Sequence, residues 1–120
     1  TWLVAEHVMV KGASISDDDA AGFHGRTLDI TAHGFMSPWQ GTCEHASRTE
    51  HMRPVADVIS ELGVVAGDRA KIEAFGLTDP ATEYRIECQG SAKPIPLTIL
   101  VGGERAMTCY GGACYLMNRF

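Results

Sequence analysis

Cys109-Tyr110-Gly111-Gly112-Ala113-Cys114 is the stretch from which the fold is read. A Gly-Gly pair stands at the centre of a cysteine-bounded segment. It permits the positive φ angles that a two-residue hairpin turn requires. Tyr110 and Ala113 then form the hydrogen-bonded pair beside the turn. Cys109 and Cys114 fall one step further out, at a non-hydrogen-bonded pair. There the Cα atoms approach to roughly 4.5 Å, within reach of a disulfide. The segment therefore predicts a stapled antiparallel hairpin in a small, β-rich domain of an oxidising compartment.

The chain has four cysteines, so Cys43 and Cys88 pair by elimination. Zinc ligation by the cysteines is not expected, because no Cys-x-x-Cys spacing exists. An even cysteine count fits a periplasmic or secreted protein, a cytosolic one with free thiols being the alternative. Thr1 in place of Met reads as a mature or trimmed form. No apolar stretch approaches the roughly twenty residues that a membrane span needs. A length of 120 residues reads as one domain. Folding at that size buries about two-thirds of the unfolded surface, so disulfides add to a core rather than replace one. Net charge is −5, and the basic residues are scattered. Nucleic-acid binding would want a basic stripe, and none is visible.

Outward from the hairpin, Arg105 to Cys109 and Cys114 to Phe120 are its strands. Leu97 to Val101 is a strand that reaches them through a second turn at Gly102-Gly103. Tyr84 to Cys88 is another, with Tyr84, Ile86 and Cys88 on one face. Ser91 to Pro96 is a proline-rich connector. Trp2 to Val10 reads as a central strand. Period two puts Trp2, Val4, Val8 and Val10 on one face, interrupted by Glu6, with Leu3, Ala5, His7 and Met9 on the other. Ser16 caps a short helix whose first turn, Asp17-Asp18-Asp19, meets the positive end of the helix dipole. That triplet lacks the spacing of a calcium-binding loop.

Arg26 to Thr31 is a strand, and Phe35 to Gly41 is irregular or a short edge strand. Thr42 to Arg53 is polar and reads as a long surface loop. Pro54, at the first helical position, opens the clearest helix. Val55, Val58, Ile59 and Leu62 form its apolar stripe, and Gly63 stops it. Asp68 to Phe75 reads as a short helix, a strand being the alternative. The fold class is α+β: one mostly antiparallel sheet or half-barrel, two or three short helices, disulfide-stapled.

No Ser-His-Asp order and no glycine-rich phosphate loop is present. Cys43 and His45 have the spacing of a nucleophile and base on one strand face, but a disulfide at Cys43 removes the nucleophile. His45 and His51, with Glu44 or Glu50, are the candidate metal ligands, at a spacing that fits neither a helical nor a strand face reliably. His7, His24 and His33 read as scattered surface or half-buried residues. Trp2 and Tyr115 read as core. Trp39, in an irregular segment, and Tyr110, on the stapled turn, are the candidate binding aromatics. Both residue types often dominate interfaces, and both positions lie on loops anchored by disulfides.

The Gly25-Arg26-Thr27-Leu28-Asp29-Ile30 strand follows a short acidic helix, Cys88 closes a strand, and Gly111 to Phe120 forms the last one. In this layout the chain resembles small bacterial envelope domains of a lipocalin-like or half-barrel kind, such as the heat-shock-associated META domains and the C-type lysozyme inhibitors. The helical Pro54–Phe75 insert departs from them. The resemblance implies an envelope half-barrel and carries over no functional residue.

The expectation is a non-enzymatic periplasmic or secreted protein, inhibitor-like, that binds a protein or small ligand without a cofactor. The alternatives are a metal-binding envelope protein using the His45/His51 loop and an enzyme of unrecognised class.

Overall fold

The computed structural model describes residues 1–65, 67–89 and 96–120. The connector expected over 91–96 lies, apart from Pro96, outside the described residues. The chain runs β1 (Trp2–Met9), α1 (Asp17–Ala21), β2 (Thr27–Ile30), β3 (Phe35–Ser37), β4 (Gly41–Cys43), β5 (Ala46–Arg53), α2 (Val55–Leu62), α3 (Asp68–Phe75), β6 (Ala81–Cys88), β7 (Leu97–Gly102), β8 (Arg105–Tyr110) and β9 (Ala113–Arg119). The strands form one antiparallel sheet in the order β4-β3-β2-β1-β9-β8-β7-β6-β5.

The strands at the two edges of this sheet, β4 and β5, are separated in sequence only by Glu44 and His45. So short a link forces the sheet to curl until its edges meet, giving a nearly closed barrel. The meeting point is fastened twice. Cys43 is bonded to Cys88, with Cα atoms 5.8 Å apart. The Ala46 N–H donates to the His33 carbonyl at 2.8 Å. Gly34 allows the close approach: a Cβ there would lie 1.8 Å from the Cys43 carbonyl oxygen. A mostly antiparallel sheet with short helices and two disulfides is thus present. The half-barrel and α+β descriptions fit coarsely, because the sheet curls further and the helices only cover it.

The terminal hairpin has Tyr110 opposite Ala113 and Cys109 opposite Cys114. Cys109 and Cys114 are bonded, with Cα atoms 3.9 Å apart. The tip does not project freely. Ser14 and Ile15 donate their backbone N–H groups to the Gly111 carbonyl, and Val10 donates to that of Gly112. Gly112 has φ of +90°, and a Cβ there would sit 2.6 Å from the Ala13 Cα. Gly112→Ala is therefore expected to cost about 2 kcal/mol. Urea denaturation reads this, and an unchanged midpoint would show that the tip is not docked on the β1–α1 loop.

Two apolar layers flank the sheet. Trp2, Val4, Leu28, Phe35, Ile86, Leu97, Ile99, Tyr115 and Met117 fill the barrel. Val8, Leu100, Met107 and Leu116 lie on the outer face, under Val58 and Ile59 of α2 and Ile72 and Phe75 of α3. Here the period-two reading of β1 needs correction. Val4 pairs with Met117 and Glu6 with Leu116, so Ala5 is an extra residue on the β1 side. This bulge flips every following side chain. Trp2 and Val4 face the barrel, while Val8 and Val10 face the helices.

Local signals hold at the helix starts. The Ser16 hydroxyl accepts the Asp19 N–H at 3.1 Å, capping α1. Pro54 is shifted by one place: it stands before α2 with extended backbone rather than at the first helical position, and the Val55 N–H donates to the Asp79 carboxylate at 2.9 Å. Gly63 ends the helix with φ of +66°. Asp68 to Phe75 is helical, as the first of its two readings has it. The Thr42–Arg53 loop is the larger departure. It is β4, a two-residue link and β5, whose eight residues all pair with β6. Both faces of β5 are exposed from Ser47 to Met52, so no alternation marks it as a strand.

Candidate functional site

The structure places both candidate binding aromatics inward. Trp39 is half-buried and stacks on Tyr115, with ring centroids 4.4 Å apart and planes tilted by 26°. Phe23 completes the cluster, 5.6 Å from Trp39 and 5.5 Å from Tyr115. Trp39 thus packs against the barrel core rather than standing free on a loop. Its irregular local setting suggests a loop tip, but the β3–β4 turn folds the indole back over the strands. Burial pushes the Tyr115 phenol up from its ordinary value, with Trp39 acting the other way. Even so, neither Trp39 Nε1 nor Tyr115 Oη finds a hydrogen-bond partner among the described residues. Tyr110 is also half-buried and packs against the same core.

His45 and His51 cannot share an ion. His45 precedes β5 and His51 lies near its far end. Six residues of extended chain separate their Cα atoms by roughly 20 Å. Among the described residues, no group of three His, Cys, Asp or Glu side chains is placed to hold a metal. Cys43 is in a disulfide, and among the described residues no cysteine is free to act as a nucleophile.

A histidine pair that reads as scattered in the sequence is brought together instead. His7 Nε2 lies 2.7 Å from an Asp17 carboxylate oxygen, and His7 Nδ1 lies 2.8 Å from His24 Nε2. The carboxylate can only accept, so Nε2 of His7 is a protonated donor in this contact. The bulge at Ala5 produces this cluster, because it turns His7 toward α1 and the barrel end. Among the described residues His24 makes no side-chain bond to a hydroxyl or thiol, so the chain of groups reaches no nucleophile. The hydrogen bond and charge of His7 hold the Asp17 carboxyl below the usual 3.8. A depressed folded-state value means that its contribution to stability is present above the ordinary carboxylate range and is lost as pH falls through the folded value. A carbon-detected NMR titration is expected to show Asp17 protonating at lower pH in the wild type than in His7→Ala. Equal midpoints would show that the contact does not persist in solution.

The bulge also shapes a groove on the outer face, of about 510 Å³, lined by Ala5, Glu6, Lys71, Ala74, Phe75 and Arg105. Its volume lies within the range of small-ligand sites. Ala5 and Glu6 are where β1 departs from regular pairing, so the groove forms where α3 passes over the bulge. α3 is held there by its own first residue: the Asp68 carboxylate accepts the Met9 N–H at 2.9 Å. Arg105 is fixed on two sides. Its guanidinium sits 4.9 Å from the Phe75 ring centroid, and it donates to the Asn118 amide oxygen at 2.6 Å. Lys71 reaches from α3, its Nζ 3.8 Å from an Asp68 oxygen. On a chain of net charge −5, the groove sets two cations against the single Glu6 carboxylate. Its walls can orient a ligand, but they present no nucleophile with a partnered base.

Sequence reasoning misses the groove, since Glu6 and Arg105 are about a hundred positions apart and the bulge alone aims Glu6 there. The interruption of the β1 pattern at Glu6 is the one local sign. Compared with known proteins, the chain matches no protein-family model, no curated protein and no solved structure.

Proposed function

We propose that the chain is a non-enzymatic recognition domain of the periplasm or of a secreted protein, inhibitor-like in that it works by holding a ligand or a segment of a partner. The observation that carries this is the groove at the Ala5 bulge. It has walls from β1, β8 and α3, an arginine held against Phe75 and Asn118, and no assembled catalytic pair among the described residues. The charge balance favours a ligand that presents an anionic group to Arg105 and Lys71, with an apolar part against Ala5, Ala74 and Phe75. The two disulfides support the oxidising compartment, since such bonds persist outside the reducing cytosol. Among the described residues, no helix is long and apolar enough to cross a membrane. The stapled, curled antiparallel sheet supports kinship with envelope half-barrels of the META or lysozyme-inhibitor kind.

The test is amide chemical-shift mapping with a panel of small amphiphilic carboxylates and short acidic peptides. Shifts are expected to cluster on Ala5, Glu6, Lys71, Ala74, Phe75 and Arg105, and to weaken in Arg105→Gln. Shifts centred elsewhere would refute the groove. Chemical turnover of any compound in the panel would replace recognition with catalysis.

A further inference from the structure

The outer edge of β5 is the other feature that the fold leaves open. The Ala46 N–H points away from β6, to His33. In an antiparallel ladder outward and inward groups alternate. The N–H and C=O groups of Arg48, Glu50 and Met52 therefore also point away from β6, and those N–H groups have no backbone partner among the described residues. The opposite edge cannot cover them, because β4 ends at Cys43 and spans three residues against eight in β5. Natural edges are usually guarded by a bulge, a proline or repelling charge. β5 pairs with β6 without a register shift and has no proline within it.

We propose that this edge pairs with the same edge of a second copy of the chain, antiparallel, about a two-fold axis through Thr49. Hydrogen-bonding parity and charge together select that register. Outward-facing residues must meet outward-facing residues, which leaves alignments in steps of one residue along the axis position. Centring on Thr49 sets Arg48 of each copy opposite Glu50 of the other, with Thr49 on Thr49 and Ser47 opposite His51. Opposite charges facing each other across strands stabilise, and like charges destabilise. Centring on Arg48 or Glu50 instead puts two guanidinium groups or two carboxylates face to face. The Thr49 register makes the Arg48–Glu50 contact twice and sets Met52 opposite Ala46, whose N–H is already given to His33, so the new ladder ends at the fastened seam. The edge is thus self-complementary, as a two-fold interface requires. The groove at Ala5 lies outside this contact, so the pairing stands independently of what the groove holds.

Sedimentation velocity over a concentration series tests it. The wild type is expected to dimerise as concentration rises. Arg48→Glu and Glu50→Arg are each expected to weaken the dimer by roughly tenfold or more, since two attractive pairs become repulsive. The decisive sample is an equal mixture of these two variants. In the Thr49 register the first variant sets a carboxylate at both positions 48 and 50, and each faces an arginine of the second, so a mixed dimer is expected to form again. Glu50→Pro removes one outward N–H without touching the β6 ladder, and is expected to abolish the dimer while leaving the circular dichroism spectrum unchanged. A wild type that stays monomeric to millimolar concentration would overturn the proposal. So would a dimer indifferent to both charge reversals, or single variants that fail to associate when mixed.

Discussion

Cys43→Ala/Cys88→Ala is expected to lose about 4 kcal/mol of unfolding free energy, the largest effect among the substitutions considered. The bonded residues are 45 apart in sequence, so the bond removes a large amount of chain freedom from the unfolded state. The same argument gives only about 2 kcal/mol for Cys109–Cys114, because a short hairpin loop has little closure entropy to remove. Folded-state geometry adds to the difference. Cys43 ends β4 and Cys88 ends β6, so their bond clamps the barrel where its two edges meet. Without it, the seam at that point rests on the Ala46–His33 hydrogen bond and the contacts around Gly34. Both sulfur-bearing side chains are buried, so alanine also leaves small gaps in the barrel core. Chemical denaturation of the two double variants gives the comparison directly. A larger loss for Cys109→Ala/Cys114→Ala would mean that the seam is held by something other than the clamp.

Trp39→Ala comes next, at about 3 kcal/mol. The indole stacks on Tyr115, the largest side chain fully buried in the barrel, and also meets Phe23. Removing it deletes the stack and opens a void above Tyr115. Melting temperature is expected to fall by roughly 10 °C, given the usual entropy of unfolding for a domain of this size. Trp39→Phe should recover much of the loss by restoring a ring against Tyr115. An alanine variant with unchanged melting temperature would return Trp39 to the surface, and with it the reading of its loop as a recognition site.

The parts of the fold that are legible in the sequence are those fixed by neighbours in the chain. Gly111-Gly112 between cysteines determines the hairpin because turn geometry and pairing are local. Val55, Val58, Ile59 and Leu62, closed by Gly63, mark α2 for the same reason. The illegible parts depend on distant partners. β5 carries Ser47, Arg48, Thr49, Glu50, His51 and Met52 in succession, with no apolar face to signal a strand. Only its ladder with β6 makes it one. Trp39 has an irregular local setting, whereas its place is decided by Tyr115 and Phe23, across the barrel. The Ala5 bulge has no residue signature, yet it decides which face Val8 covers, turns His7 toward Asp17 and aims Glu6 into the groove. The functional surfaces are therefore the least legible, since each is assembled by that bulge or by the sheet closing on itself.

A nearly closed barrel, fastened at one end of its seam and open along β5, underlies both the cover of the core and the proposed pairing. Residue-resolved amide hydrogen exchange on dilute protein tests it most directly. Slow exchange is expected at Ala46, Thr49 and His51, which donate to His33 or into the β6 ladder, and fast exchange at Glu50 and Met52, which point outward. Uniformly fast exchange from Ser47 to Met52 would show the surface loop that the sequence suggests. Uniformly slow exchange there would show a seam that is already shut.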